Sequence, residues 1–387
     1  MNRRKVLFAG VAAVGAAAAG LTWQAARSGV FASGNAPAYA AWRQWPPQAL
    51  GALGLVHSAV LAASPHNTQP WLFKVSPSQI DLFADPVRNI GSIDPFRREM
   101  TMGLGCALEN LLLAARAGGY RTALTMLPAG PRSAHLASVQ LDRGEAEASA
   151  LFDAIPHRHT DRGPYDTSRP VDPAALASLD KLGTDLPDVS VLWFTTQAQR
   201  DKIGGLIVAA TQAIIADHEQ AADSAKWLRL SWDKVQRYRD GITLDAAGLP
   251  PMILAMAKML PELSPADGDA AWLKATREVH VATAPAFGLL VVRDAREPAQ
   301  RLQGGRLWQR MHLWATANGL ATQPLNQMPE RADREASLNA QPVFGEALRE
   351  LVGDPAWQAL MPFRLGYPTR AALPSPRRAT ADVVLAA

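Results

Sequence analysis

The chain has 387 residues, 48% of them hydrophobic, enough to bury a domain-sized core without covalent staples. A single cysteine, Cys106, excludes an intrachain disulfide. The net charge of +4 is modest and belongs in part to the N-terminus, and there is no lysine/arginine run of nucleic-acid type, which argues against a nucleic-acid partner; scattered arginines suit a small phosphorylated ligand better.

The N-terminus reads as an export signal. Arg3, Arg4 and Lys5 form a basic head, and the stretch from Val6 to Trp23 carries no charge. The adjacent Arg3-Arg4 pair ahead of an Ala/Gly-rich middle points to the twin-arginine route, with its export machinery as a partner. Ala38-Tyr39-Ala40 is a candidate cleavage site, which sets a leader over 1–40. Left uncut, the run is long enough to span a bilayer as a weak anchor. The expected location is periplasmic, or tethered to the outer side of the inner membrane.

Further along, Pro46-Pro47 opens a helix predicted over Gln48 to Ala63, with Leu50, Leu53, Val60 and Leu61 near one face. Trp71 to Val75 and Ile80 to Ala84 read as a hairpin. Asp94 with Pro95 behind it predicts a helix start, and the pattern runs through Leu104, Leu108, Leu111 and Leu112 to Gly118-Gly119. Strands are expected near Arg121 to Leu127 and His135 to Leu141. Helices covering such strands make an α+β pattern. At an offset of 200, Asp94, Gly105, Leu113, Ala115, Ala117, Gly119 and Thr122 recur in type as Asp294, Gly305, Leu313, Ala315, Ala317, Gly319 and Thr322. A duplicated unit accounts for that phase.

The densest polar segment is Ser64-Pro65-His66-Asn67-Thr68-Gln69-Pro70-Trp71. Its prolines forbid regular helix, and its amides can meet the donor and acceptor edge of a flat heterocycle. A second constellation, Arg158-His159-Thr160-Asp161-Arg162, sets two guanidinium groups four residues apart around a hydroxyl. His157, His159 and Asp161 as a metal set is the weaker reading, since two histidines two apart with no cysteine carry little specificity. Cys106 lies in an apolar helical run and reads as a buried, inert thiol. There is no GxSxG elbow.

The first of these segments resembles the P-S-x-x-N-x-Q-P-W motif of nitroreductase-like FMN proteins, and in its S-P-H-N-T-Q-P-W form the Acg-type branch, in which two such units are fused. The resemblance continues through Asp94 to Glu99, Arg158 to Pro164, Gly319 to Leu325, and Leu365 to Arg378. It implies an α+β nitroreductase-like fold of two fused half-units, 41–156 and 157–387, forming a pseudo-dimer of antiparallel-rich sheets and packed helices. A lid-like insertion is implied at about 227–268; an ordinary helical excursion with core-filling methionines is the alternative.

FMN is the implied cofactor. Ser64, His66, Asn67 and Gln69 would face the ring or ribityl chain, and Arg158, Thr160 and Arg162 the phosphate end. Leu320, Thr322 and Gln323 would pass the isoalloxazine edge, and Arg377 and Arg378 would complete the phosphate site. The resemblance implies reduction of a small-molecule electron acceptor such as a nitroaromatic or quinone. The donor would be a membrane quinol or a protein, because reduced nicotinamide is not expected outside the cytoplasm. The alternatives are a non-catalytic FMN-sequestering protein and a flavin-free exported hydrolase or binding protein, the last opposed by the whole motif series.

Overall fold

The structure, a computed structural model, describes residues 19–45 and 51–386. Arg3-Arg4, the apolar run as far as residue 18 and the Pro46-Pro47 helix start lie outside the described residues. Among the described residues no helix is long and apolar enough to cross a membrane.

Two sheets of four strands carry the fold. The first half holds α1 (Ala52–Val60), β1 (Trp71–Val75), β2 (Gln79–Ala84), α2 (Arg98–Ala117), β3 (Tyr120–Met126) and β4 (His135–Arg143). The second holds β5 (Val189–Phe194), α3 (Pro251–Met259), β6 (Ala286–Val292), α4 (Pro298–Ala317), β7 (Ala321–Pro324), α5 (Gln327–Ser337) and β8 (Gln358–Gly366). The sheet orders are β1-β2-β4-β3 and β5-β6-β8-β7, antiparallel throughout. In each sheet a helix of 20 residues joins the second strand to the third. The architecture is α+β.

These two long helices pack against each other at the centre. Small residues set their approach: a Cβ on Gly105 would overlap the Leu302 carbonyl oxygen, and one on Gly305 the Met102 carbonyl oxygen. Cys106 donates from Sγ to the Gly305 oxygen at 3.2 Å across the same seam. Burial pushes its thiol up to about 12, which keeps it protonated. Both helices end before a glycine, Gly119 or Gly319, with φ of 73°, a left-handed turn that a side chain would strain. After β8 the chain returns to the first sheet, where Phe73 N donates to Val383 O at 2.8 Å and Leu385 N to Phe73 O at 2.8 Å.

Some boundaries differ from the sequence expectation. α1 stops at Val60, because Leu61 to Ala63 already lead into the proline-punctuated loop. α2 begins at Arg98, three residues after Pro95. The intervening Arg97 adopts φ 56°, yet Asp94 still caps the helix from a distance, accepting from Glu99 N at 3.2 Å and Met100 N at 2.9 Å. In the 227–268 excursion, Met252 and Met256 are exposed rather than filling a core gap.

Candidate functional site

Arg158 and Arg377 lie inside the protein with no carboxylate partner among the described residues. Arg158 donates to the Leu61 carbonyl at 3.1 Å and to His312 Nδ1 at 3.3 Å. Arg377 donates to Asn67 Oδ1 at 2.7 Å, to the Pro376 carbonyl at 2.9 Å and to the Ala62 carbonyl at 3.1 Å. Trp42 lies beneath both, its ring centroid 5.8 Å from the Arg158 guanidinium carbon and 4.6 Å from that of Arg377. The Nε atoms of both arginines, and Nδ1 of His159, are buried with no hydrogen-bond partner.

Burial pushes the Arg158 guanidinium down to about 10. Arg377 is driven well below its ordinary value, first by burial and then by Arg158. His159 is pushed down to about 3 by burial, with Arg158, Arg377 and His157 adding. Two buried cations that raise each other's cost call for an anion with several oxygen acceptors. His312 bridges the set: with Nδ1 accepting from Arg158, its Nε2 donates to the His159 carbonyl at 3.2 Å.

The polar loop reaches this cluster from the first half. His66, Asn67 and Gln69 all have positive φ, of 46°, 55° and 53°. For residues with side chains this is stored strain, held by surrounding bonds. Asn67 Nδ2 donates to the carbonyls of Pro376 and Gly241, at 3.0 and 3.2 Å. Gln69 Nε2 donates to the Arg239 carbonyl at 2.8 Å, and its Oε1 accepts from Arg378 N at 2.8 Å. The two amides that the sequence aims at a heterocycle thus tie the loop to residues 376–378 and 239–241. Ser64 Oγ accepts from Gln69 N at 3.0 Å, and His66 Nε2 sits 3.1 Å from Ser224 Oγ. Burial and then Arg162 lower His66 to about 4, so it is neutral at pH 7.

Beyond Arg158 the segment turns into a cavity of about 510 Å³. Thr160, Asp161, Arg162 and Gly163 form one wall, and Pro251, Leu254 and Ala255 of α3 another. Val30, Ser33, residues 370–373, Asp245, Ala246, Gly248 and Leu249 complete it. Arg162 donates to the Ala246 carbonyl at 3.1 Å. Its cation is lowered by burial and by Arg364. Arg364, buried on β8, holds the segment in place by donating to the carbonyls of Asp161 and Gly163, at 3.1 and 2.7 Å.

On β7, Gln323 accepts from Arg364 Nε at 2.7 Å, and Thr322 passes its carbonyl to Asp161 N at 3.3 Å. Its own Oγ1 is buried and unpartnered. Leu320 packs in the main core. Arg378 turns away, donating to the carbonyls of Gln69 and Asp382. The structure therefore brings Arg158, Arg377 and Asn67 together, sets Thr160 and Arg162 on the adjoining cavity, and keeps Arg378 at the tail.

The N-terminal segment is built into the same region. Tyr39 is fully buried and donates to Asp245 Oδ2 at 2.7 Å, while Asp245 also pairs with Lys258 of α3 at 2.5 Å. A cut at Ala38-Tyr39-Ala40 would open a buried site and remove Val30 and Ser33 from the cavity wall.

No family model matches the sequence. The chain is 29% identical over 294 residues to the Mycobacterium tuberculosis protein Rv3131, which bears an NAD(P)H nitroreductase name. That alignment covers 74% of this chain and 79% of the relative. This chain is a relative of the nitroreductase-like proteins. A second nitroreductase-named protein of that organism, acg, is 33% identical over 113 residues, covering 28% of this chain and 34% of its own length. Among solved structures, an FMN-bound nitroreductase of Desulfitobacterium hafniense is 14% identical, with a TM-score of 0.35 over 62% of this chain and 100% of its own. The FMN-dependent nitroreductase NfnB of Mycobacterium smegmatis, solved with NADPH, is 16% identical with a TM-score of 0.33, over 62% of this chain and 98% of its own.

Arg364, His312 and Trp42 escaped the sequence reading of this nitroreductase relative. Arg364 had a signal: it is the one charge in the apolar stretch from Leu360 to Leu365. A charge inside a buried strand implies a specific polar duty. His312 and Trp42 had none, since each meets its partners only through tertiary packing.

Proposed function

We propose that the protein is an FMN-dependent oxidoreductase of nitroreductase type, with one flavin held where two fused half-units, 41–156 and 157–387, meet. The carrying observation is the pair Arg158 and Arg377, buried without a carboxylate and with both Nε donors free. A flavin phosphate is a dianion of the required kind, and guanidinium forks are its usual partners. The names of the relatives support the same chemistry. Arg158 and Arg377 would hold the phosphate, and the ring would extend past Thr160 and Arg162 towards the cavity, with Thr322 Oγ1 free to bond to it. Ser64, His66, Asn67 and Gln69 would shape the loop that closes this junction. The bound flavin supplies two-electron transfer. The chain's own residues position it, exclude water and keep neutral imidazoles beside it.

Matching strand orders and helices of equal length in the two halves support a fused pseudo-dimer. The Arg3-Arg4 head and its uncharged sequel support twin-arginine export, to the periplasm or the outer side of the inner membrane. There a membrane quinol or a protein would donate electrons, and a nitroaromatic or quinone-like small molecule would accept them. One observation favours a second reading, flavin sequestration: the 227–268 insertion supplies a wall of the cavity and is tied to the N-terminal segment by the buried Tyr39–Asp245 hydrogen bond.

A purified sample should show an oxidised-flavin spectrum and release FMN on denaturation; a colourless protein that takes up no FMN would refute the proposal. Anaerobic addition of NADPH, and separately of a quinol analogue, then divides the readings. Bleaching by either supports the enzyme, and bleaching by neither supports sequestration.

A further inference from the structure

We propose that the outer face of α3, with Leu21, Trp23 and Phe31 beside it, docks on a lipid bilayer and admits a lipid-dissolved hydroquinone to the cavity, the second part resting on the flavin reading above. From Ala246 to Pro261 the sequence holds one charged residue, Lys258. That charge is turned inward onto Asp245, and the Lys258 side chain is 6% exposed. Outward, α3 shows Met252 at 76% exposure, Ile253 at 48% and Met256 at 54%, continued by Leu260 at 61%; the exposed Glu262, paired with Lys234 at 2.9 Å, ends the uncharged set there. Single exposed apolar side chains are ordinary, whereas a contiguous set without charge marks a contact surface.

The neighbouring segment extends the set. Gln24 donates to the Met259 carbonyl at 2.9 Å, and Lys258 to the Gly29 carbonyl at 3.1 Å, so this segment lies along α3. It carries Leu21, Trp23 and Phe31, all more than half exposed. Arg27 lies over the Trp23 ring at 5.2 Å. Tryptophan with arginine beside an apolar face is the composition that settles at headgroup depth.

The occupant follows from the chain itself. The described residues begin at Ala19, just before Leu21 and Trp23 of this patch, and the sequence preceding them, residues 6–18, is uncharged. α3 also connects the patch to the cavity. Pro251 is exposed and lines the cavity, and Leu254 and Ala255 line it from the next turn. The cavity therefore reaches the surface beside the patch. A hydroquinone entering there would transfer two electrons and two protons to the flavin and leave as the quinone.

The test uses the full chain. An environment-sensitive dye is placed at Met256→Cys, the native Cys106 being buried. A control dye is placed at Leu338→Cys, exposed just beyond α5. With phosphatidylethanolamine–phosphatidylglycerol vesicles, the dye at 256 should shift to the blue and be quenched by nitroxide lipids, while the dye at 338 should not. No change at 256, or equal change at both sites, overturns the docking. So does a dye at 256 already shielded in buffer, by the chain's own segment or, if dilution relieves it, by a second copy. Met252→Asp with Met256→Asp should slow flavin reduction by a long-chain quinol in vesicles about tenfold or more, and leave reduction by a water-soluble quinol unchanged. Equal slowing of both, or of neither, overturns the admission route. Should neither quinol reduce the native protein, the admission route falls with the quinol donor, and the dye result alone judges the docking.

Discussion

Two kinds of buried arginine stand side by side in this protein. Arg98 pairs with Asp333 at 2.8 Å and Glu99 at 3.3 Å, and Arg310 is gripped by Glu109 and Asp185. Their cations are held above the ordinary value, because nearby carboxylates outweigh burial. Arg158 and Arg377 are as deeply placed, yet meet only carbonyls, an amide oxygen and an imidazole, and their cations are lowered. Arg364, also buried and without a carboxylate ion pair, is engaged by Gln323 and the carbonyls of Asp161 and Gly163, whereas Arg158 and Arg377 keep an unpartnered Nε and, on the function proposed above, would take a counter-ion from outside. On that proposal the difference would separate arginines that hold the fold from arginines that hold a ligand.

That contrast can be broken most sharply at Arg98. Arg98→Met should cost about 3–5 kcal/mol of stability, since it strands buried carboxylates. Denaturant unfolding of the flavin-free protein measures it, and flavin affinity of the folded fraction should hold. Arg377→Met should do the opposite. Flavin affinity should fall about 10- to 100-fold, the worth of a charge-assisted bond, with a smaller stability loss than Arg98→Met. Flavin titration beside the same unfolding experiment reads both, and a variant that binds flavin like the native protein ends the ligand assignment.

The carboxylate side of the paired cluster makes a pH prediction. Burial and the neighbouring Asp94 and Asp333 carboxylates raise Glu330 to about 7, against the pull of Arg98 and of its hydrogen bond with Glu99. Between the ordinary carboxylate range and that value the folded chain binds more protons than the unfolded one, so stability is greatest in acid and declines as pH rises through the window. Glu330→Gln mimics the protonated state and should recover on the order of 1–2 kcal/mol at pH 8 relative to pH 5. Thermal melts across that range check it; an unchanged slope rules out Glu330 as the titrating group. The smallest effect belongs to Thr322→Val. Its buried hydroxyl has no partner in the fold, so the flavin-free protein should lose nothing, while flavin affinity falls by less than about tenfold.

Local chemistry made much of the molecule legible. β1 runs from Trp71 to Val75 as its apolar alternation requires, and α2 and α4 stop at glycines where a left-handed residue is needed. The residues that recur at an offset of 200 lie mostly on two helices, Arg98–Ala117 and Pro298–Ala317, whose ends differ by the same 200 positions. The start of α2 was less legible, because Asp94 reaches its amides across a three-residue loop that no local propensity encodes.

The site divides along the same line. Asn67, Gln69 and Arg158 were singled out from a dense polar loop and a basic cluster, and Arg377 from the resemblance of the C-terminal segment. Their duties are not. The Asn67 and Gln69 amides serve carbonyls more than 150 residues away, and whether an arginine finds a carboxylate depends on elements distant in sequence. The sequence determined the local pieces and the residue types able to grip an anion, because those depend on neighbours within a turn or a strand. Only tertiary structure decided which buried cations were left unpaired and that Val30 and Ser33 wall the cavity, because electrostatic balance and cavity shape are properties of atoms brought together from the whole chain.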